Sequence, residues 1–247
     1  MMDVSKGILL IADISGYTHF MQEHAIATSH AKQIIVRLIK TIVQTSKLPL
    51  RVVELEGDAV FFYAESKADD VRLTADQVKE QILRFFSRFN SERTVLQQMK
   101  ACECDACAHV GDLSLKLVIH VGEVALEKIE RFEKLFGLDV ILVHRMLKNS
   151  VPSSEYVMMS KPMYAAFNDF YGLEPELRNE EFEGIGEMET VVFYPSHLAE
   201  GEEISHGQIP RTKVAKLAWK LKVMSRTLLD LIGIRKTKGK FRNLPAR

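Results

Sequence analysis

Five consecutive apolar residues, Ile8-Leu9-Leu10-Ile11-Ala12, run directly into an acid, Asp13. An unbroken apolar run of this length predicts a strand buried on both faces of its sheet, because a half-exposed strand would alternate. Helical segments are available beside it. Residues 29–45 place Ile34, Ile35, Leu38, Ile39, Ile42 and Val43 on one stripe, and residues 70–99 read as a long helix with Val78, Ile82, Phe85, Phe86 and Phe89 inward. Val52–Leu55 and Ala59–Tyr63 read as two strands joined in a hairpin at Glu56-Gly57-Asp58.

A cysteine-rich loop at 101–112 precedes an alternation of Leu113, Leu115, Leu117, Ile119 and Val121, which predicts a half-buried strand. A helix over 138–149, a strand at Tyr156-Val157-Met158-Met159, a helix over 161–169 and a strand over 189–194 follow. The order β-α-β-β-α-β fits an α+β domain of the split βαβ, ferredoxin-like kind. That domain is expected to span residues 1–199, with a linker at 200–210. In 211–247, Val214, Leu217, Leu221, Met224, Leu228 and Leu231 recur at 3-4 spacing, an amphipathic helix with a heptad-like seam.

Charge separates these parts. Residues 211–247 hold twelve Lys or Arg against one acid, Asp230, a net charge of +11 that leaves −11 on residues 1–210. The tail suits an anionic membrane surface, with Trp219 among Lys213, Lys216, Lys220 and Lys222; docking of the helix on its own acidic domain or on a second chain is equally simple. The chain has no apolar run of about 18 residues, so no transmembrane helix is expected. The Ile8–Ala12 run is too short for a signal peptide, and the expected location is the cytoplasm, with peripheral membrane contact through the tail. Residues 233–241 carry glycines near a lysine, but they do not make a P-loop: the glycine spacing is one residue too long and Phe241 stands where a hydroxyl is needed.

Two motifs carry chemistry. Asp13-Ile14-Ser15-Gly16-Tyr17-Thr18 puts an acid at a strand end before a small-residue turn into a helix, where the Ser15 and Gly16 backbone can face phosphate oxygens. Glu54-Leu55-Glu56-Gly57-Asp58 puts a second Asp at a hairpin tip. Two carboxylates converging from neighbouring strands suit Mg²⁺ or Mn²⁺ that also binds a triphosphate. Taken singly, each motif is as well explained by a helix cap or a turn.

Together these motifs resemble class III adenylyl and guanylyl cyclases, and in particular a bacterial subgroup with a Cys-rich loop. Asp13 to Thr18 is similar to the family's D-I-x-G-F-T signature, Glu54 to Val60 to its second metal motif, and Lys116 to Gly122 to its R-I-G-I-H-x-G strand. Gly137 to Arg145 resembles G-x-x-V-N-x-A-x-R, and Gly186 to Phe193 resembles the closing strand, all in family order. The resemblance implies that Asp13 and Asp58 ligate the metals, helped by the Ile14 carbonyl. It implies that Arg145 stabilises the transferring phosphate and that Glu54, with Lys134 at the partner position, faces the purine. It also implies a head-to-tail homodimer that converts a purine nucleoside triphosphate to a cyclic nucleotide and pyrophosphate. Two positions depart from the pattern: Ile141 stands where the family has an asparagine, and Glu183 where it has a phosphate-binding lysine. Those departures favour a second reading, a nucleotide- and metal-binding module without turnover.

All three cysteines fall in Cys102-Glu103-Cys104-Asp105-Ala106-Cys107-Ala108-His109. Three thiolates and an imidazole could supply a four-ligand structural Zn²⁺ site; the other reading is a loop whose cysteines serve as small hydrophobes.

Overall fold

A computed structural model describes residues 4–21, 25–66, 71–98 and 105–195. The elements run β1 (Val4–Ser15), α1 (Tyr17–Met21), α2 (Ala25–Thr45), β2 (Arg51–Glu56), β3 (Ala59–Glu65), α3 (Val71–Gln98) and α4 (Asp105–Ala108). After a 3-10 turn (His109–Asp112) come β4 (Ser114–Ile129), β5 (Phe132–Phe136), α5 (Leu138–Met146), β6 (Tyr156–Ser160), α6 (Lys161–Phe167), β7 (Glu176–Phe182) and β8 (Gly186–Phe193). The described residues divide into two compact units, the first formed by those up to Ser15, Ile39–Asn90 and those from Ser114 onward, the second by Gly16–Leu38 and Ser91–Leu113.

The first unit contains the sheet, ordered β2-β3-β1-β4-β6-β8-β7 with β5 paired to β4. Its first four strands have the ferredoxin-like order, with β1 antiparallel to both β3 and β4. Among the described residues only β4 and β6 pair in parallel, and the chain between them supplies the crossover through α5.

β1 is buried from Gly7 to Ala12, as its apolar run requires. Its side chains divide between the two faces. Leu9 and Ile11 join Phe61, Tyr63, Val118, Val143, Met146 and Met158 in one core cluster. On α3, the five positions predicted to face inward are all buried, and Phe85 meets Phe62 of β3 at 5.5 Å between ring centres.

The half-buried expectation for β4 fails. Leu117, Val118, Ile119 and His120 are all buried, because β4 lies inside the sheet between β1 and β6. Its polar positions are answered from within: Lys116 pairs with Asp13, and His120 bonds to Ser160 and Asp139. Two strands, β5 and β7, form where none was expected. Both are hairpin arms on the sheet's periphery, and β7 (ELRNEEF) is too acidic to read as a strand from pattern alone. The predicted helix over 138–149 stops at Met146, where Asn149 Nδ2 donates to the Met146 carbonyl at 2.7 Å.

In the second unit Phe20, Ile34, Ile35, Leu38, Val95, Leu96, Val110 and Leu113 are buried. Arg37 pairs with Glu92, and Arg93 donates to the Leu113 carbonyl at 2.7 Å. The expected linker and basic helical tail lie outside the described residues, as do Cys102 and Cys104. No helix among the described residues is long and apolar enough to cross a membrane.

Candidate active site

β1 brings Asp13 into register with Lys116 of β4 on one side and with Ala59 of β3 on the other. Asp58 immediately precedes Ala59 in the tight turn of the β2–β3 hairpin. Glu56 pairs with Ala59, so only Gly57 and Asp58 make the turn, and Gly57 takes φ 64°, a conformation that favours glycine. The structure thus brings the two predicted aspartates to adjoining strand ends.

Their electrostatics are uneven. The Lys116 ammonium lies 3.0 Å from Asp13 Oδ2. Burial works against the charge on Lys116, but the Asp13 carboxylate outweighs it and raises the lysine above its ordinary value. The Asp58 carboxyl is pushed up to about 6, first by burial and then by the neighbouring Asp13, despite a backbone hydrogen bond and Lys116 acting the other way. One ammonium is therefore too little positive charge for the two carboxylates. A hard divalent cation with oxygen ligands fits that deficit, and Asp13 and Asp58 are the side chains that would hold it. Lys116 is the residue that sequence reasoning quoted within a motif but gave no role; its signal was a lone cation inside an apolar strand, which register places opposite Asp13.

A second group of residues lies on β2, β5 and α5. β2 carries a register shift between Val52 and Glu54, an irregularity that re-aims side chains. Glu54 Oε2 accepts from Lys134 Nζ at 2.7 Å, so the two predicted purine-facing positions are tied to each other. The Glu54 carboxylate raises the Lys134 ammonium above its ordinary value through that bond.

On α5, His144 Nδ1 is 2.7 Å from the Val140 carbonyl and Nε2 is 3.1 Å from Glu56. A carbonyl only accepts, so the contact with Val140 requires Nδ1–H as its donor. Arg145 Nη1 donates to Glu183 Oε2 at 2.5 Å. Ile141 is half exposed, and no hydrogen-bonding group stands at that position.

α5 is anchored at its first turn. Asp139 accepts from the Glu123 backbone N–H at 2.7 Å and meets His120 Nε2 at 2.9 Å, while His120 Nδ1 lies 2.8 Å from Ser160 Oγ. A carboxylate only accepts, so Nε2–H donates to Asp139, while the Ser160 hydroxyl can take either role towards Nδ1. Gly122 makes this approach possible, since a Cβ there would fall 2.3 Å from Asp139 Cγ.

The remaining predicted positions are dispersed. Ile14 and Ser15 end β1, whereas Gly16 belongs to the second unit, where its carbonyl accepts the Phe20 N–H at 3.0 Å. Cys107 is buried, and His109 Nδ1 faces Asp112 at 2.7 Å. Among the described residues no group of three or more His, Cys, Asp or Glu is placed to hold a metal ion.

With the geometry in place, comparison with known proteins gives the chain its relatives. A family model described as "Protein of unknown function (DUF2652)" matches residues 35–156. The uncharacterised protein Rv2561/Rv2562 of Mycobacterium tuberculosis is 36% identical over 156 residues, covering 63% of this chain and 71% of the mycobacterial one. The chain belongs to the family of that protein. Solved structures extend the likeness of this family member to a wider fold. The adenylyl cyclase CyaB from P. aeruginosa superposes with a TM-score of 0.60 at 12% identity, over 77% of this chain and 95% of that one. The guanylate cyclase domain of RhGC from Catenaria anguillulae, in complex with GTP, gives 0.51 at 14% identity over 77% and 97%. A class III adenylyl cyclase-like ATP-binding protein from Pseudomonas aeruginosa gives 0.52 at 19% identity over 66% of this chain and 35% of that one. At these identities the shared property is the fold, that of nucleotidyl cyclase domains.

Proposed function

We propose that the chain is a divergent class III nucleotidyl cyclase-like protein, converting a purine nucleoside triphosphate to a cyclic nucleotide and pyrophosphate with Mg²⁺ or Mn²⁺. The observation that carries this reading is the pairing of Asp13 and Asp58 at adjoining strand ends, with Asp58 pushed up to about 6 by burial and by its neighbour. In the reaction the ribose 3′-oxygen forms a bond to the α-phosphorus as its proton leaves, and the bond to the bridging oxygen breaks to release pyrophosphate. A bound divalent cation would supply charge neutralisation at the attacking and leaving oxygens. Asp13 and Asp58 would hold it, helped by the Ile14 carbonyl. The Ser15 and Gly16 backbone would face the phosphates, Arg145 the transferring phosphate, and Glu54 with Lys134 the base. One structural neighbour is in complex with GTP and another is an ATP-binding protein, which supports a purine ligand.

A head-to-tail homodimer belongs to the same reading. Leu55, Phe136, Leu138 and Ile141 are exposed on the elements that carry Glu54, Lys134 and Arg145, apolar surface of the kind a partner subunit would cover. Segment 211–247 is read as the contact with an anionic surface, and Cys102, Cys104, Cys107 and His109 as a structural Zn²⁺ loop.

A binding module without turnover is the second reading. Ile141 and the Arg145–Glu183 pair favour it, because the groups that would orient a nucleotide are apolar or already engaged. The test is incubation of purified protein with ATP or GTP and Mn²⁺, beside an Asp58→Ala control. Cyclic nucleotide formed by the wild type and lost in the variant supports the cyclase. Nucleotide binding without product supports the module.

A further inference from the structure

Four basic side chains of the proposed site already have carboxylate partners. Lys116 pairs with Asp13, Lys134 with Glu54, His144 with Glu56 and Arg145 with Glu183. Three of these carboxylates project from strands: Asp13 from β1, and Glu54 and Glu56 from β2. Glu183 alone stands in a turn, between β7 and β8, where Gly184 takes φ 77° and Gly186 φ 102°. The turn is pinned at its base by buried Phe182, whose carbonyl accepts the Ile185 N–H at 2.9 Å. The Glu183 side chain is 81% exposed and its only hydrogen bond among the described residues is the one from Arg145. An exposed ion pair of this kind is weak enough to open when a better anion arrives.

We infer that Glu183 is a specificity residue that competes with phosphate for Arg145, so that a nucleoside triphosphate binds only by displacing the Glu183 carboxylate. The inference rests on the proposed role of Arg145 as a phosphate contact. Two effects act in the same direction. While the pair is closed, the guanidinium donors that a phosphate would take are turned to a carboxylate. Once the pair opens, Glu183 remains near the polyphosphate as a like charge. The site therefore discriminates against highly charged ligands, and an uncharged nucleoside does not feel the latch.

The test compares wild type, Glu183→Gln, Arg145→Ala, and the two substitutions combined. Equilibrium binding is measured for non-hydrolysable ATP and GTP analogues with Mn²⁺, and for adenosine and guanosine. Because Glu183 is exposed at a turn, the melting temperature of Glu183→Gln should match that of the wild type, and this is checked first. The expected result is triphosphate binding tightened about tenfold or more by Glu183→Gln, with a gain that shrinks as salt is raised. Nucleoside binding should not change, and without Arg145 the gain should fall to the smaller part that like-charge repulsion supplies. Equal triphosphate affinities in wild type and Glu183→Gln overturn the latch and leave the proposed function standing. A gain of undiminished size without Arg145 also overturns it, since repulsion alone would then suffice. Absence of triphosphate binding in every variant overturns the proposed function and the latch together.

Discussion

Gly122→Ala is expected to destabilise the protein by about 3 kcal/mol, lowering its melting temperature by roughly 6–12 °C for a chain of this size. The added Cβ would lie 2.3 Å from Asp139 Cγ and 2.4 Å from Asp139 Oδ2. Strand β4 is central, so its backbone has little room to yield, and Asp139 must swing away. That movement strips the acceptor from the His120 Nε2–H, which is buried, and breaks the bond from the Glu123 N–H. An orphaned buried donor costs more than the net value of the bond it lost. The measurement is a double-mutant cycle by thermal or denaturant unfolding. Asp139→Ala removes the same bonds without any clash, so the two substitutions together should cost little more than either alone. Additive losses would show that Gly122 serves some other purpose. Because α5 carries His144 and Arg145, the same substitutions should also weaken triphosphate binding.

Asp58→Asn is expected to act in the opposite direction at neutral pH, making the metal-free protein more stable. The Asp58 carboxyl is pushed up to about 6 in the folded chain, against an ordinary 3.8, by burial and by Asp13. A raised carboxylate value means that the folded state binds the proton more readily than the unfolded state. Stability is then lost as pH rises from about 4 through about 6, and the full penalty is present above that window. Solvent screening at a part-exposed site discounts the penalty to about 1 kcal/mol, worth about 2–4 °C. Melting curves should place the variant above wild type at pH 7.5 and level with it at pH 3.5. A variant less stable than wild type at pH 7.5 would mean that Asp58 is already neutralised by Lys116 in the folded state. A residue that costs stability in the metal-free chain is what a ligand site requires, since the same uncompensated charge is what attracts the cation.

Much of this architecture is legible in the sequence. The Ile8–Ala12 run specified a strand buried on both faces, and the Phe85-Phe86-Phe89 stripe marked the inward side of α3, because burial imposes periods that survive in sequence. The β2–β3 hairpin was visible in Gly57, which the turn needs for its positive φ. β5 and β7 were not visible. They lie on the periphery, carry acids and exposed side chains, and owe their pairing to neighbours rather than to their own pattern. The alternation of Leu113, Leu115, Leu117, Ile119 and Val121 suggests a half-buried β4; no alternation rule reveals that partners on β1, β6 and α5 satisfy Lys116 and His120 between them.

The site shows the same division. Asp13 and Asp58 were recognisable as motif residues and are adjacent in the fold. Lys116 required register to be seen, since only the pairing of Asp13 with Lys116 across β1 and β4 puts the ammonium beside the carboxylate. Glu183 and Arg145 are 38 positions apart, and sequence exposed Glu183 only as a departure from a resemblance. That the two residues bond to each other is a fact of the β7–β8 turn.

The central claim is that Asp13 and Asp58 seat a divalent cation. Mn²⁺ binding, followed by the electron paramagnetic resonance of the free ion, tests it without requiring turnover. The account predicts saturable binding to the wild type at pH 7.5, weakening as pH falls through about 6 and Asp58 takes up its proton. It predicts loss of that binding when both aspartates are changed to asparagine in a chain that still melts cooperatively. Equal Mn²⁺ binding by the wild type and the doubly substituted protein would contradict it.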